Sequence, residues 1–333
     1  MKENYPIDFV LTWVDGNDLE WQADEAKYSG KSKVTDNSKA RVRDWDNLQY
    51  WFRAIEKFAP WFRTLHFVTW GHIPKWLNTQ NPKLHVVKHS EFMPQEYVPT
   101  FNSWAITWNV WRIEGLAEHF VYFGDDVFVG KPTDKTRFFK NGIPCDYAQL
   151  AALAMVNPQV HYMANTLEIL HRRHTMSKAI VAHPAQWFNP KYGLKNVLKT
   201  IYLLPFSNFV SLKNPHVTTP YLRSEFEKIW KEEFETLNST CQNKLRSFSD
   251  VMHWLVRYDR LANGTFIPTS IKDTHTDVIT DSNAEEIAEY IIKQKYKLFC
   301  INDSNNIVDF EKTKATINAA FEKLLPEKSS FEI

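Results

Sequence analysis

The chain has 333 residues and a mass of 39.2 kDa, enough for one large domain or for a core with an inserted lobe. Its 40 Lys and Arg residues balance 39 Asp and Glu residues, so a formal charge of +1 gives no overall field that would attract a nucleic acid. The three cysteines show neither CxxC nor Cys/His spacing, which argues against a disulfide framework and structural zinc and favours a reducing compartment.

The N-terminal segment MKENYPID contains no apolar run of the kind that an export signal requires. No apolar stretch elsewhere approaches the roughly 18 residues needed to span a bilayer. We therefore expect a cytoplasmic protein.

Strand-like and helix-like patterns alternate in the first part of the chain, which predicts a layered α/β sheet. The predicted strands are residues 7–14, 65–70, 84–87 and 119–123, and the predicted helices are residues 47–58 and 103–115. Since ligands of open α/β sheets bind at the carboxyl ends of the strands, we expect TWVDGND, VTWG and FGDD to meet at one rim.

From about residue 133 the pattern is mainly helical, with predicted helices at 189–204, 221–237, 247–261, 284–295 and 310–325. A last strand is predicted at 296–301, before Asn302 and Asp303. We expect residues 1–132 and about 296–333 to form an α/β catalytic core, and residues 133–295 to form a mainly helical lobe that completes the active site.

The helix predicted over 189–204 carries both apolar and basic residues. Its apolar residues on one face are Leu194, Val197, Leu198 and Ile201, and its lysines are Lys191, Lys195 and Lys199. Such a helix could lie on an anionic membrane, or it could be an ordinary surface helix with solvated lysines.

Two adjacent carboxylates, Asp125 and Asp126, directly follow the apolar segment HFVYF and Gly124. Because paired carboxylates repel each other, a cation is expected there. The pattern is typical of sites where Mg²⁺ or Mn²⁺ bridges carboxylates to a diphosphate. The same dipeptide also occurs in ordinary turns and at helix N-termini, which is the alternative interpretation.

The second lobe offers His216, Arg246 and Asp250 as functional candidates. Histidine suits proton transfer from a hydroxyl near neutral pH, and arginine suits contact with phosphate oxygens. His216 could instead be a structural histidine, and Arg246 could form a helix salt bridge with Asp250 four residues later.

The longer motifs resemble the Stealth proteins, bacterial capsule polysaccharide phosphotransferases that are similar to the animal enzyme that tags lysosomal hydrolases with N-acetylglucosamine phosphate. Four blocks in order carry this resemblance. They are IDFVLTWVDGND; RDWDNLQYWFRAIEKFAPWFRTLHFVTWGHIPKWL with VPTFNSWAI and RIEGLAEHFVYFGDDVF; NPHVTTPYLRSEFEKIW with FETLNSTCQNKLRSFSDV and RYDRLANGTF; and LFCINDS.

The resemblance implies a Rossmann-like, nucleotide-sugar-binding (GT-A-like) sheet with helices on both faces and a mainly helical second lobe. It also implies transfer of a hexose or N-acetylhexosamine 1-phosphate from a UDP-sugar to a glycan hydroxyl, with release of UMP. The expected cofactor is Mg²⁺ or Mn²⁺, and the expected acceptor is lipid-linked, with peripheral contact at the inner face of the membrane. A metal-dependent glycosyltransferase releasing UDP is the alternative, and a non-catalytic glycan-binding module is the third class.

The resemblance also implies a set of site residues. The family positions implicated in activity match Trp13, Asp15, Asp44, His216, Arg246 and Asp303, and the family's NDD block matches Asp125 and Asp126. We expect catalytic roles for His216, Arg246, Asp44 and Asp303, substrate binding by Trp13, Asp15, Asn102, Ser103, Asn302 and Asp250, and metal binding by Asp125 and Asp126. Two positions depart from the family pattern. Gly124 stands where Asn is usual, and Thr107 stands where relatives often have Glu, so both bear on contact with donor or acceptor.

Overall fold

The computed structural model describes residues 5–29, 43–154 and 159–333. In this part of the chain the strands are β1 (Ile7–Thr12), β2 (Leu65–Thr69), β3 (Leu84–Lys88), β4 (His119–Gly124), β5 (Val127–Val129), β6 (Phe139–Lys140), β7 (Ile143–Asp146), β8 (Thr219–Leu222), β9 (Ile267–Pro268), β10 (Thr274–Val278) and β11 (Leu298–Asn302). The helices are α1 (Leu19–Ser29), α2 (Leu48–Phe58), α3 (His89–Phe92), α4 (Ser103–Asn109), α5 (Gln159–Arg173), α6 (Met176–Ala182), α7 (Pro184–Trp187), α8 (Leu194–Leu203), α9 (Arg223–Glu232), α10 (Phe234–Gln242), α11 (Trp254–Ala262), α12 (Ala284–Ile292) and α13 (Phe310–Leu324).

The central sheet has five strands in the order β3-β2-β1-β4-β8. The first four are parallel, and β8 pairs with β4 in the antiparallel sense. Thr12 at the end of β1 lies opposite Val68 in β2 and Gly124 in β4. The carboxyl ends of three neighbouring strands therefore meet at one rim, which confirms the convergence predicted for TWVDGND, VTWG and FGDD.

Helices cover both faces of this sheet. Successive side chains of β1 point to opposite sides, so Phe9 packs into one core cluster and Val10 into another. Helix α2 covers the first side with Trp51 and Phe52, and α4 contributes Trp108 to the second. The predicted α/β fold with helices on both faces is confirmed.

A second sheet begins directly after the two adjacent aspartates. It has the order β10-β11-β5, with β10 and β11 parallel and β5 antiparallel to β11. Asp125 and Asp126 form the turn between β4 of the central sheet and β5 of this one. The Ile301 N–H donates to the Asp126 carbonyl at 2.9 Å, which ties the turn to the end of β11.

The lobe between residues 133 and 295 contributes most of the remaining helices, and it also supplies β8 to the central sheet. The predicted helix over 221–237 is wrong at its start and middle, because residues Thr219–Leu222 form β8 and the helical run breaks at Glu233. The boundary drawn between core and lobe stays a prediction.

The helix predicted over 247–261 begins only at Trp254. A buried carboxylate explains this difference. Asp250 accepts hydrogen bonds from the Ser247 N–H at 2.7 Å and from the side-chain amides of Asn102 at 2.8 Å and Asn243 at 2.7 Å. These bonds hold the backbone around residues 243–253 in a loop, since side-chain acceptors compete with the helical pattern.

Two other predicted helices are also shorter than expected. Helix α4 ends at Asn109 and continues as a 3-10 turn at Val110–Arg112, instead of running to residue 115. The helix predicted over 189–204 begins with a 3-10 turn, and α8 proper starts only after Gly193, whose φ of 82° interrupts the helix.

A buried ion network stabilises the lobe next to the rim. Asp146 accepts a hydrogen bond from Arg257 Nε and another from Arg260 Nη2, both at 2.9 Å. Although burial opposes ionisation, the two guanidinium groups hold the pKa of Asp146 below its usual value. Arg257 also donates to the Asn214 side chain at 2.9 Å, so the network anchors the segment that leads to His216.

In the part of the chain that the structure describes, every helix is too short or too polar to cross a membrane.

Candidate active site

A cavity of about 530 Å³ opens at the rim where the two sheets and the lobe meet. This volume is typical of small-ligand sites. The predicted site residues that line it are Trp13, Asp44, Ser103, Asp125, Asp126, His216, Arg246, Asn302 and Asp303. Gly124 and Thr107 line it as well. The structure thus brings together side chains from the beginning, middle and end of the chain.

Asp125 and Asp126 lie side by side on the turn between β4 and β5. Asp125 is open to the solvent that fills the cavity, yet the surrounding walls and the neighbouring Asp126 charge raise the pKa of its carboxyl to about 7. Burial also raises the pKa of Asp44 across the cavity. Negative charge is therefore concentrated here, and a bound cation would relieve it.

Cys300 and Gly124 fix the position of the Asp126 carboxylate. The Cys300 thiol donates to Asp126 Oδ2 at 3.2 Å, and burial together with the nearby Asp126 charge raises the thiol pKa well above its usual value. On the other side, a Cβ added at Gly124 would lie only 2.6 Å from Asp126 Oδ1. The glycine thus leaves space that the carboxylate occupies.

His216 is exposed and lies beside Asp126. A ring nitrogen of His216, the Cys300 sulfur and an Asp126 carboxylate oxygen all lie within 4.8 Å of one another. The His216 backbone has a φ of 49°, in the left-handed region that non-glycine residues seldom occupy. Thr276 Oγ1 is within hydrogen-bonding distance of the Pro215 and His216 carbonyls, at 2.9 and 3.2 Å, which holds this backbone in place.

Arg246 also lines the cavity. Its Nη2 donates to Ser103 Oγ at 2.6 Å, and its guanidinium carbon lies 5.1 Å from the centre of the Trp104 ring. Within the described residues Arg246 forms no ion pair, and in particular none with Asp250. The alternative of a helix salt bridge between these two residues is therefore wrong, because residue 246 lies in a loop.

Asp303 is held by an arginine that the sequence interpretation did not single out. Arg43 donates to both carboxylate oxygens of Asp303, at 2.5 and 2.9 Å, and to the Ser304 carbonyl at 2.7 Å. This paired contact joins the segment before α2 to the end of β11. Asp44, the next residue, lines the cavity and accepts the Asp46 N–H at 2.8 Å.

Trp13 and the neighbouring hydroxyl groups form another part of the wall. The Trp13 ring stacks on Phe67 with centroids 5.6 Å apart. Beside it, Tyr122 Oη lies 2.9 Å from Thr12 Oγ1 and 3.0 Å from Thr107 Oγ1. Thr107, which we expected to depart from the family pattern, thus joins a chain of neutral hydroxyl groups.

Three predicted substrate-binding residues do not line the cavity. Asn102 and Asp250 are fully buried and bonded to each other, and Asn102 also caps α4 by accepting the Trp104 N–H at 3.0 Å. They position Ser103 and the loop that carries Arg246. Asp15 lies in the turn after β1, where its N–H donates to His72 Nε2 at 2.8 Å and its carboxylate accepts the Asn17 N–H at 2.9 Å.

The donors present fit a hard divalent cation. Asp125 and Asp126 offer carboxylate oxygens in a charge-rich cavity, which suits Mg²⁺ or Mn²⁺. Asp126, His216 and Cys300 are also close enough to hold an ion between them. Because its raised pKa keeps the Cys300 thiol protonated, the thiol orients Asp126, and the carboxylates are the groups that could hold an ion.

Arg43 and Cys300 are the functional candidates that sequence reasoning missed. Arg43 stands next to Asp44 in the RDWD motif, but its partner Asp303 lies 260 residues later. Cys300 stands three residues before Asp303 in a buried strand, where a lone cysteine gives no signal of its own.

Two stretches of the chain match conserved regions of a known family. Residues 5–33 match Stealth protein CR1, conserved region 1, and residues 41–145 match Stealth protein CR2, conserved region 2. The capsular polysaccharide phosphotransferase WcwK of Streptococcus pneumoniae is 37% identical over 335 residues, which cover 100% of this chain and 99% of the relative. The chain belongs to the Stealth family.

Other relatives of this Stealth protein agree over nearly the full length. The exopolysaccharide phosphotransferase cps2G of Lactiplantibacillus plantarum is 37% identical over 98% of this chain and 96% of its own length. The receptor polysaccharide phosphotransferase WefC of Streptococcus oralis is 36% identical over 98% and 99%. The predictions of the Stealth family and of an enzyme of the phosphotransferase class are confirmed.

Among solved structures, the galactosyltransferase LgtC matches with a TM-score of 0.38 and 9% identity, over 94% of this chain and 95% of that one. The glycosyltransferase GlyE of Streptococcus pneumoniae TIGR4 matches with a TM-score of 0.24 and 10% identity, over 94% of this chain and 79% of that one.

Substitution of Gly124 by Ala tests the fit between the glycine and Asp126. The added Cβ, at 2.6 Å from Asp126 Oδ1, forces the carboxylate to turn, while the extended protein backbone keeps its conformation. We expect an intact fold and about a tenfold increase in the Mn²⁺ concentration needed for half-maximal turnover and half-maximal thermal stabilisation. Metal titrations followed by thermal unfolding measure this. A variant with the wild-type metal response would contradict the arrangement.

Proposed function

We propose that this Stealth protein transfers a hexose or N-acetylhexosamine 1-phosphate from a UDP-sugar to a hydroxyl of a capsule or cell-surface glycan and releases UMP. The observation that carries the proposal is the meeting in one cavity of the acidic pair Asp125 and Asp126, the exposed His216, and Arg246, which has no acidic partner among the described residues. The names of the full-length relatives, which are capsular and exopolysaccharide phosphotransferases, support it.

In this reaction the acceptor oxygen attacks the phosphorus that carries the sugar. A new P–O bond forms to the acceptor, and the bond from that phosphorus to the oxygen shared with the other phosphate breaks. UMP leaves with the shared oxygen, and the acceptor hydroxyl loses its proton. The protein must therefore compensate charge on the diphosphate and provide a route for one proton.

Arg246 meets the first requirement. Its guanidinium faces the cavity without a carboxylate partner in the described part of the chain, and Ser103 and Trp104 fix its orientation. A planar guanidinium held in this way can donate two parallel hydrogen bonds to phosphate oxygens. Mg²⁺ or Mn²⁺ held by Asp125 and Asp126 would supply further positive charge at the diphosphate.

His216 meets the second requirement as general base. The ring is exposed to the cavity, and Asp126 is close enough to stabilise an imidazolium after the proton has moved. Its strained backbone conformation, held by Thr276, fits a residue whose position is set by function. The ion pair between Arg43 and Asp303 would fix its part of the cavity wall, next to Asp44.

Donor recognition is assigned to the rest of the wall. The Trp13 ring stacks on Phe67 and lines the cavity, where it would accept the base or sugar. Asn302 at the end of β11 lines the same cavity. We propose a lipid-linked acceptor at the inner face of the cell membrane, which would bring the growing glycan to a cytoplasmic enzyme.

The released nucleotide tests the proposal. The protein is incubated with UDP-N-acetylglucosamine and other UDP-hexoses and a lipid-linked acceptor extract, with and without Mg²⁺, and nucleotides are separated by chromatography. We expect UMP that depends on both acceptor and metal. Acceptor-dependent UDP would show that the same cavity performs glycosyl transfer instead, because that reaction breaks the sugar C–O bond. Turnover of neither kind would leave the glycan-binding alternative.

A further inference from the structure

Helix α8 presents its apolar residues to solvent. Leu194, Leu198, Ile201 and Tyr202 recur at helical spacing and are 75%, 52%, 46% and 81% exposed. Phe206, just beyond the helix, is 55% exposed. We call these five residues the outer face of α8. Single exposed apolar residues are ordinary, but five on one short segment mark an interaction surface.

The orientation of α8 is fixed by its inner side. Thr200 and Leu203 are buried, and the Leu150 N–H donates to Thr200 Oγ1 at 3.2 Å. Asn196, on the same side, donates to the Tyr192 carbonyl at 2.8 Å. A rotation that buried the outer face would break the Leu150–Thr200 bond and expose Leu203. The exposure of the apolar residues therefore belongs to the fold.

The chain segment that carries the outer face has charged residues of one sign. No Asp or Glu occurs between Glu168 and Glu225, while eight basic residues do: Arg172, Arg173, Lys178, Lys191, Lys195, Lys199, Lys213 and Arg223. Arg172 and Arg173 pair with acids of the lobe. Lys195 and Lys199 form no ion pair within the described residues, and they lie along one edge of the outer face.

We propose that the outer face of α8 binds the surface of an anionic phospholipid membrane. The apolar side chains would enter the boundary between headgroups and acyl chains, and the aromatic rings of Tyr202 and Phe206 suit that depth. The neighbouring lysines would contact the anionic headgroups with their ammonium groups while their aliphatic stems stay with the apolar surface.

Charge favours a membrane over a second copy of this chain. Two copies meeting through this face with their α8 helices antiparallel would bring Lys195 and Lys199 of each against the same lysines of the other, which is repulsive. An anionic lipid surface instead supplies the missing negative charge over the whole face. The chain also runs from Phe206 to His216 in ten residues, with Phe209 and Leu212 buried between them, so the face is joined to the wall of the cavity.

Vesicle flotation tests this inference without any substrate, so the result does not depend on the proposed reaction. The full chain is floated with phosphatidylcholine vesicles that contain or lack phosphatidylglycerol, at low and high salt. We expect binding to the anionic vesicles that weakens with salt. The Leu198→Glu/Ile201→Glu variant should bind the anionic vesicles at least about tenfold more weakly than the wild type. The Lys195→Gln/Lys199→Gln variant should bind about tenfold more weakly, and only on anionic vesicles.

Ile333→Glu is the matched control, since Ile333 is 71% exposed at the other end of the chain and should leave flotation unchanged. Circular dichroism and thermal unfolding establish that each variant is folded. If the glutamates disturb the helix, the lysine variant still tests the proposal. A wild-type chain that does not float with anionic vesicles, or a glutamate variant that floats like the wild type, would overturn the proposal. If the wild type binds no vesicles but forms a dimer that the Leu198→Glu/Ile201→Glu variant does not form, the membrane proposal is overturned in favour of a second copy of the chain.

Discussion

Replacing Asp125 with Asn is expected to reduce turnover by about two to three orders of magnitude, because the carboxylate pair is what the proposed metal and diphosphate site depends on. Asparagine keeps the shape of the side chain, so the fold stays intact. The measurement is steady-state turnover over a range of Mg²⁺ concentrations. Turnover within a few-fold of wild type would remove Asp125 from the mechanism.

The same variant is expected to be more stable than wild type at alkaline pH. Asp125 has a pKa of about 7 in the folded chain, above its ordinary value of 3.8. The contribution of this carboxyl to stability is therefore present below pH 3.8 and is lost as pH rises through about 7. Asparagine carries no charge at any pH. At pH 8 we expect the free energy of unfolding of the variant to exceed that of the wild type by about 1 kcal/mol. This value is kept small because solvent in the cavity screens the charge. The difference should vanish toward pH 4.

Urea unfolding at several pH values measures this difference. Asp46→Asn is the matched control, because Asp46 is exposed, pairs with Lys314 and has a φ of 48° that asparagine tolerates. It should show neither the loss of turnover nor the gain in stability at pH 8. If Mg²⁺ binds where we propose, adding it should stabilise the wild type and leave Asp125→Asn unchanged.

Replacing Arg246 with Ala is the second change with a large expected effect, a fall of about a thousandfold in kcat/KM for the UDP-sugar. The variant loses the cavity-facing cation that lacks an acidic partner among the described residues. Arg246→Lys should recover only part of the activity, because a lysine provides the charge but not the planar pair of donors.

Arg172→Ala controls for the loss of a positive charge. Arg172 is half exposed on α5, pairs with Glu168 and Glu233, and lies outside the cavity, so its removal should leave kcat/KM within about twofold of wild type. The kinetic constants of the three variants, with thermal unfolding to establish folding, decide the question. An Arg246→Ala enzyme with nearly normal kcat/KM would show that another group compensates the charge on the diphosphate.

Much of the rim could be predicted from the sequence because its signals are local. The segments before Asp15 and Asp125 are apolar runs that end in turn formers, and parallel strands of this kind align their carboxyl ends. The buried residues of α2 follow the helical spacing expected from the sequence. The strand ends and the helix α2 could be predicted because both depend on residues only a few positions apart in the chain.

The contacts that shape the cavity could not be predicted in the same way. The Arg43 and Asp303 pair joins positions 260 residues apart, and spacing along the chain gives no sign of it. The loop around Arg246 interrupts an apparent helical pattern because Asp250 draws hydrogen bonds from Asn102, which lies 148 residues earlier. Likewise, the sequence showed an apolar side on α8, but the bond from Leu150 to Thr200 decides that this side faces solvent.

The fate of the donor's β-phosphorus tests the central claim most directly. UDP-N-acetylglucosamine, or whichever UDP-hexose proves active, is supplied with a radioactive label at the phosphate that carries the sugar, and glycan and nucleotide are separated after turnover. Attack at that phosphorus places the label in the glycan, in a phosphodiester, and leaves unlabelled UMP. We predict this result, and we expect the Asp125→Asn variant to incorporate no label. Label that remains in released UDP while the sugar enters the glycan would contradict phosphotransfer.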